Sequence, residues 1–271
     1  MNVRRLLTCL PLLGLAACAA QPILPQAHIG PITGTVQIGE RLFSCSQAGV
    51  FEQREGQLQP LLQPTWRPFA LAGRDAREDQ LGTLLVGGGS PAQSGQVALL
   101  TTCGTVLTQA VVAADLIYAV ALAPDAPRAV AGCADGRVLH LSLPDLKASP
   151  ETWQHKGPVV AVAYSHDGAL LATAGHDGKI LLGNANAATP ATALVDHTAP
   201  VTCLAWAENG WLASGAHDGK VRLHDASGRF LQVWSRLGGE IAWVGFAAKQ
   251  LHYRTVATPV TPSRAGSLDL P

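Results

Sequence analysis

The chain has 271 residues, and its 19 Lys plus Arg balance 19 Asp plus Glu, so the formal net charge at pH 7 is zero. Charged residues make up only 14%, and no Lys/Arg cluster occurs, which argues against nucleic acid as a partner. The remaining composition, 48% hydrophobic with 28 Gly and 18 Pro, suits one large all-β domain of many short strands and turns.

The start of the chain predicts a secretory signal rather than part of that domain. Arg4-Arg5 is a short basic region, and the apolar stretch from Leu6 to Leu15 is too short to span a bilayer. It leads into Leu15-Ala16-Ala17-Cys18, which resembles the lipobox of bacterial lipoproteins. The resemblance implies that a signal peptide, residues 1–17, is removed and that Cys18 is lipidated, so that several acyl chains anchor the protein to a membrane.

The residue after Cys18 bears on which bacterial membrane would hold the anchor. Ala19 stands where lipoproteins retained in the inner membrane have Asp, so the resemblance implies an outer-membrane anchor and a domain facing the periplasm. An ordinary cleavable signal, with Cys18 incidental, is the alternative. Residues 18–29 are expected to form a lipidated linker.

The middle of the chain contains a repeat. Asp135-Gly136, Asp177-Gly178 and Asp218-Gly219 recur at spacings of 42 and 41 residues, and each precedes a short apolar run. Asp-Gly between apolar alternations is a strong hairpin signal, because both central residues of a type I′ turn need positive φ. A fixed period of about 40 residues predicts a β-propeller whose blades are small antiparallel sheets.

Fainter copies extend the repeat towards both ends. Ala48-Gly49 and Ser94-Gly95 supply earlier turns, and Gln250–Thr255 is a later hairpin-like stretch. Four segments align as first strands of their repeats: 117–122, 159–164, 201–206 and 241–246. We therefore predict a single propeller over residues 30–258, with five clear blades and a partial sixth.

The two ends of this propeller are less regular. Residues 259–271 contain Pro and no Asp-Gly, and are predicted to be a C-terminal tail. Open sheet edges promote aggregation, so the ring is expected to close. The candidate closing strand is Gln21–Ile29, which would pair with the last blade.

The two clearest repeats, residues 154–178 and 196–219, resemble the WD-repeat family. That family has a His before the first strand, Ser or Thr in the second strand and Asp in the second turn. The matching residues are His155, Thr173 and Asp177 in one repeat, and His197, Ser214 and Asp218 in the next. The resemblance implies a hydrogen-bonded structural network rather than catalytic acids. The family's Trp position holds Gly183 or His224, so the network is expected to be incomplete, although His224 can supply a donor.

Four cysteines remain once Cys18 is lipidated: Cys45, Cys103, Cys133 and Cys203. The periplasm permits disulfides, and four cysteines allow three connectivities. The repeat alignment puts Cys45 and Cys133 on second strands of non-adjacent blades, too far apart to join. Buried free thiols are the favoured interpretation. No Cys-x-x-Cys-His occurs, which excludes covalent c-type haem.

Some other residues could in principle bind a metal or phosphate, but their positions favour structural roles. His176 and His217 precede equivalent turns and, with Asp177 and Asp218, could approach one metal ion. Neighbouring turns of a propeller are generally too far apart for that, so neither a metal site nor a catalytic site is predicted. The stretch Gly87–Ser90 lacks the Lys of a phosphate loop and is predicted to be an ordinary loop.

The tryptophans carry a further prediction. Trp206 lies in an inferred first strand and is predicted to be in the core. Trp153 and Trp234 lie near outer strands, where exposed rings would contribute to an interface.

Two functions from different classes remain. The WD-repeat resemblance implies a non-enzymatic interaction scaffold without a cofactor, whose partner is another envelope protein. The alternative is a periplasmic redox or cofactor-binding propeller, or an accessory to such an enzyme. The absence of a haem-attachment motif and of quinoprotein-type repeats favours the scaffold.

Overall fold

The computed structural model describes residues 32–75, 82–247, 250–256 and 262–271. In these ranges the chain forms 23 strands in six antiparallel sheets. The predicted signal peptide, Cys18 and Gln21–Ile29 lie outside the described residues.

Each sheet is one blade, and its strands follow one another in sequence order. Blades 1 to 3 contain β1 (Ile32–Ile38), β2 (Arg41–Ser46), β3 (Gly49–Arg54), β4 (Gln57–Leu62); β5 (Arg67–Arg74), β6 (Thr83–Ser90), β7 (Ser94–Thr101), β8 (Val106–Ala113); and β9 (Ile117–Leu122), β10 (Arg128–Cys133), β11 (Arg137–Ser142), β12 (Lys147–Gln154). Blades 4 to 6 contain β13 (Val159–Tyr164), β14 (Leu170–Gly175), β15 (Ile180–Asn184), β16 (Thr192–Leu194); β17 (Val201–Trp206), β18 (Leu212–Ala216), β19 (Val221–His224), β20 (Phe230–Trp234); and β21 (Ile241–Ala247), β22 (Gln250–Thr255), β23 (Ala265–Leu268).

The first strand of each blade lies innermost. Strand β1 packs beside β5, and the succession continues through β9, β13, β17 and β21. This arrangement is a six-bladed β-propeller, so the predicted fold is confirmed. The first strands predicted at 117–122, 159–164 and 201–206 coincide with β9, β13 and β17.

The hydrophobic core is divided into layers between adjacent blades. Between blades 1 and 2, for example, Phe43 packs with Leu84 and Leu100, all fully buried. Further layers join blades 2 and 3, 3 and 4, 4 and 5, and 5 and 6. Each fully buried Leu or Phe contributes about 1.5–3 kcal/mol relative to an exposed one, so every blade depends on its neighbours.

The Asp-Gly turns are present, but they differ from the predicted type I′ geometry, because φ is positive at each glycine and not at the aspartate before it. Gly136, Gly178 and Gly219 have φ of 88°, 73° and 70°. The preceding Asp accepts a hydrogen bond from the backbone N–H two residues later, at 3.1 Å in the first two turns and 3.0 Å in the third. A side chain and a glycine together therefore fix each turn between the second and third strands of a blade.

The prediction that Gly87–Ser90 is a loop is wrong, because these residues form the end of β6. A Cβ on Gly88 would lie 2.0 Å from the carbonyl oxygen of Arg67, and one on Gly87 would lie 2.6 Å from Val120 of blade 3. The glycines therefore allow the paired strand and the next blade to approach closely. In sequence, a glycine-rich strand of this kind looks the same as a glycine-rich loop.

The prediction that residues 259–271 are a tail is also wrong in part. Strand β23 lies inside that range and pairs antiparallel with β22, Leu251 opposite Leu268 and Arg254 opposite Ala265. The local sequence pattern did not predict this strand because β23 is short and lacks β-branched residues. Its pairing covers one edge of β22, whose backbone groups would otherwise lack partners.

In the part of the chain that the structure describes, there is no helix with the length and apolar character needed to cross a membrane.

Candidate functional site

The WD-like residues of blade 4 form a continuous chain of contacts. Nδ1 of His155 lies 3.0 Å from Oδ1 of Asp177, and Nε2 lies 2.9 Å from the hydroxyl of Thr173. The backbone N–H of Lys156 donates to the other carboxylate oxygen at 3.0 Å. With Nδ1–H donating to the carboxylate, Nε2 of a neutral ring accepts from the threonine hydroxyl. The structure thus brings together the three residues predicted from the sequence.

Electrostatics hold the Asp177 carboxylate ionised. Burial by itself raises its pKa, but the Lys156 N–H and the His155 ring outweigh that effect, and the pKa lies below its usual range. Both oxygens are occupied by donors from the loop and the turn. The carboxylate is therefore a structural acceptor that ties the loop before β13 to the turn after β14.

Blade 5 repeats this chain of contacts and adds a cation. Nδ1 of His197 lies 3.1 Å from Asp218, and Nε2 lies 2.8 Å from the hydroxyl of Ser214. Arg222, itself buried, donates to Asp218 at 2.8 Å and contacts His197. Burial and the neighbouring Arg222 lower the pKa of His197 to about 4, so its ring is neutral at pH 7.

The family's Trp position differs between the two blades, as the sequence predicts. Gly183 has no side chain there, whereas Nε2 of His224 lies 2.8 Å from Asp196. The His224 ring is fully buried, and burial lowers its pKa although Asp196 opposes the shift. His224 therefore supplies a contact, but to the residue before His197 rather than to Ser214.

The histidines considered for a metal site point towards solvent. His176 and His217 are exposed, and Nε2 of His217 lies 3.9 Å from Glu240. Across the ranges that the structure describes, no group of three or more His, Cys, Asp or Glu side chains is placed to hold a metal ion.

The tryptophans differ in part from their predicted positions. Trp153 is 1% exposed, so its predicted exposure is wrong. Its strand β12 is the outer strand of blade 3, but the indole turns towards blade 4 and donates to the carbonyl of Ala187 at 3.0 Å. Trp206 packs on the core and donates to the carbonyl of Ala163 in the preceding blade at 3.2 Å. Indoles therefore connect consecutive blades.

None of the four cysteines within the described residues forms a disulfide, and three of them are buried: Cys45, Cys133 and Cys203. Cys45 and Cys133 lie on β2 and β10, the second strands of non-adjacent blades, as predicted. Cys103 is exposed in the turn between β7 and β8, which corrects the expectation that all four are buried.

Sequence reasoning did not single out a set of exposed apolar residues on outer strands. Val106, Leu107 and Val111 of β8 are 44%, 48% and 67% exposed. On β20, Phe230 and Val233 are 48% and 44% exposed. The signal was available in the β8 sequence, where apolar residues occur on both faces of an outer strand.

Known proteins resemble the centre of the chain in sequence. A family model described as the WD40 domain of anaphase-promoting complex subunit 4 matches residues 137–209. Periodic tryptophan protein 2 homolog of Caenorhabditis elegans is 35% identical over 72 residues, 26% of this chain and 8% of that protein. WD repeat-containing protein 1 of Gallus gallus is 35% identical over 104 residues, 37% of this chain and 17% of that protein. The matches thus span less than a fifth of either relative.

The fold as a whole also resembles a solved structure. A chain from a structure titled Crystal Structure of Mitotic Checkpoint Complex superposes with a TM-score of 0.66, covering 94% of this chain and 88% of that chain at 15% identity. The geometry and the comparisons define a class, the β-propellers. The matched segment and the two His-Ser/Thr-Asp networks support the WD-repeat type within that class.

Proposed function

We propose that this chain is a scaffold that binds another protein of the bacterial cell envelope and is held at a membrane by a lipid on Cys18. WD40 relatives generally act as protein-interaction scaffolds. Support for the anchor is the resemblance of Leu15-Ala16-Ala17-Cys18 to a lipobox after a basic and apolar start. On this proposal the propeller faces the periplasm, with the outer membrane as its anchor.

The observation that carries the scaffold proposal is the apolar outer strand β8. Its exposed Val106, Leu107 and Val111 lie on a strand that pairs only with β7 among the described residues. Exposed apolar side chains beside unpaired backbone groups suit a protein partner better than a small ligand. By contrast, the buried Asp177 and Asp218 already have donors, so the network has no free acid for catalysis.

Crosslinking in living cells tests the scaffold. A photoreactive residue at Val111 is expected to capture one specific envelope protein, since that side chain is 67% exposed on β8. The same residue at Glu208, exposed in the turn between β17 and β18, is the matched control. Equal capture at both sites, or none at either, would contradict the scaffold.

Fractionation tests the anchor. Cys18→Ser is expected to move the protein from membranes to the soluble periplasmic fraction, because the acylated thiol is lost. Cys103→Ser changes an exposed thiol within the propeller and is expected to leave membrane association unchanged. Retention of the Cys18→Ser protein in membranes would rule out lipidation as the anchor.

A further inference from the structure

A cleft of about 300 Å³ lies between blades 3 and 4. Its walls come from the start of β10, the end of β11, the start of β12 and the end of β13. The Asp-Gly turn of blade 3, by contrast, joins the end of β10 to the start of β11. The cleft therefore lies at the opposite end of the blade from that turn, away from the His155 and His197 networks.

The cleft contains buried polar atoms that lack partners. Nη1 of Arg128 and Nε2 of His140 are both buried, and neither has a hydrogen-bond partner within the described part of the chain. The His140 ring packs edge-on against Trp153, with centroids 5.8 Å apart. Unpaired buried polar atoms are costly, so a site that retains them calls for a ligand that satisfies them.

The neighbouring repeats show that these polar residues are a departure from the pattern. Counted from the Asp of each Asp-Gly turn, the Arg128 position holds Leu170 in blade 4 and Trp211 in blade 5. The His140 position holds leucine in both of those blades, Leu182 and Leu223. An apolar residue thus suffices for the fold at each position, and the fold itself does not require Arg128 or His140.

The charge of the cleft favours an anion. Arg128 and Lys147 line it, and no Asp or Glu is among its lining residues. Burial, reinforced by Arg128, lowers the pKa of His140, and burial raises the pKa of Tyr164 to about 12. Both rings are therefore neutral at pH 7, and the two cations determine the sign of the site.

The walls decide between kinds of anion. Ala129, Leu141, Ala148 and Pro150 make much of the lining apolar. A carboxylate can accept two parallel hydrogen bonds from a guanidinium while its hydrocarbon stem covers such walls. A phosphate brings more charge and needs donors on every side. The volume lies at the small end of ligand sites, which suits one side chain or chain end.

We propose that this cleft binds a carboxylate on a short apolar stem, supplied by a side chain or the C-terminus of the partner protein. Nη1 of Arg128 donates to the carboxylate, Nε2 of His140 donates to it in the tautomer protonated at Nε2, and Leu141 and Pro150 cover the stem. The identity of the donor as a protein rests on the proposed scaffold function; the carboxylate chemistry rests on the cleft alone.

The direct test titrates the full-length protein, purified in detergent, with hexanoate and follows the Trp153 indole and Arg128 side-chain NMR signals. Saturable shifts are expected, with hexanamide and inorganic phosphate binding at least about tenfold more weakly, because neither offers a singly charged carboxylate with a stem. Equal binding of hexanamide would overturn the proposal, and so would tighter binding of phosphate.

Variants of the cleft residues show where hexanoate binds, and one of them is chosen so that the fold is kept. Arg128→Gln is expected to weaken hexanoate binding at least about tenfold, whereas Arg137→Gln, at the other end of blade 3, leaves it unchanged. His140→Leu restores the residue of the neighbouring repeats, so it is expected to fold normally and to weaken binding about fivefold. Unchanged affinity in both cleft variants would refute the site.

Crosslinking separates this proposal from the scaffold function. If hexanoate binds but the Val111 photoreactive residue captures no partner, the carboxylate site is supported and the scaffold is not. If a partner is captured equally by the normal chain and by Arg128→Gln, the scaffold is supported and the cleft is not its docking site.

Discussion

Arg222 places a buried cation in the blade 5 network that the blade 4 network lacks. Blade 4 has Leu181 at the same distance from its Asp-Gly turn, so its His155 and Asp177 interact without a cation. In blade 5 the guanidinium competes with the His197 proton for the same carboxylate. The two blades thus share the His-Asp contact, and blade 5 adds a guanidinium that lowers the pKa of His197.

That difference predicts a dependence of stability on pH. The pKa of His197 is about 4 in the folded protein, below its ordinary value of 6.5, so the unfolded chain binds this proton more readily. The contribution to stability, about 3 kcal/mol at most, is present above pH 6.5 and is lost as the pH falls towards 4. The lowered pKa of Asp218 extends the loss to lower pH, because its contribution also disappears on protonation.

Arg222→Leu makes blade 5 resemble blade 4. We expect the pKa of His197 to rise, because the coulombic opposition from the guanidinium is removed. A titration of the His197 ring protons by NMR measures this, and urea unfolding at pH 7 and pH 5 measures the change in stability. A pKa that stays near 4 would show that burial alone sets it. Arg229→Leu, exposed on the same blade, is the control.

Thr173→Ala tests the blade 4 network. The hydroxyl is fully buried and lies 2.9 Å from Nε2 of His155, so its loss leaves a buried ring nitrogen without a partner. We expect the free energy of unfolding to fall by about 1–3 kcal/mol. Thr192→Ala, exposed on β16, is expected to change it by less than about 0.5 kcal/mol. Equal effects in a urea denaturation series would argue against the network.

At the scale of strands, the regular blades followed from local sequence, and the irregular features did not. The bounds of β9, β13 and β17 were predictable because Asp-Gly turns and apolar alternation recur around them. Strand β23 was not, since its pairing depends on the open edge of β22 rather than on its own residues. Trp153 was misplaced for a related reason, because its burial comes from blade 4.

The candidate sites likewise divide into those that a local sequence pattern predicts and those that depend on packing. His155, Thr173 and Asp177 could be recognised because a family pattern places them at fixed separations. The unpaired Arg128 and His140 could not, because burial between two blades is a property of packing. Only the alignment of repeats, with leucines at the His140 position, gives a hint in advance.

Removing the last strand tests whether residues 262–271 belong to the fold. A chain ending at residue 258 loses β23, which uncovers β22 and the contacts of Leu268 and Leu270 with the blade 6 core. We expect a lower Tm and aggregation on heating, because a long open edge recruits other chains. Deleting Pro271 alone is expected to have no measurable effect. Light scattering during thermal unfolding distinguishes the two, and an unchanged Tm in the longer truncation would restore the prediction of a tail.

At the scale of the whole molecule, the described part of blade 6 has three strands where every other blade has four. Gln21–Ile29 remains the predicted fourth strand. Deleting these nine residues while retaining Cys18 is expected to lower Tm by several degrees, because one edge of the ring loses its partner. Replacing them with a Gly-Ser linker of the same length controls for tether length. If all three proteins melt together, the closing strand lies elsewhere.

The sequential order of strands within every sheet has a consequence for how the chain folds. Each blade is a meander whose pairings join neighbours in sequence, so its hairpins can form locally and early. Bringing the first and last blades together would instead join distant segments, and closing a loop of roughly 230 residues costs about 5 kcal/mol of chain entropy. We therefore expect ring closure to come late in folding, with the order of events set by chain connectivity more than by the strength of any one blade.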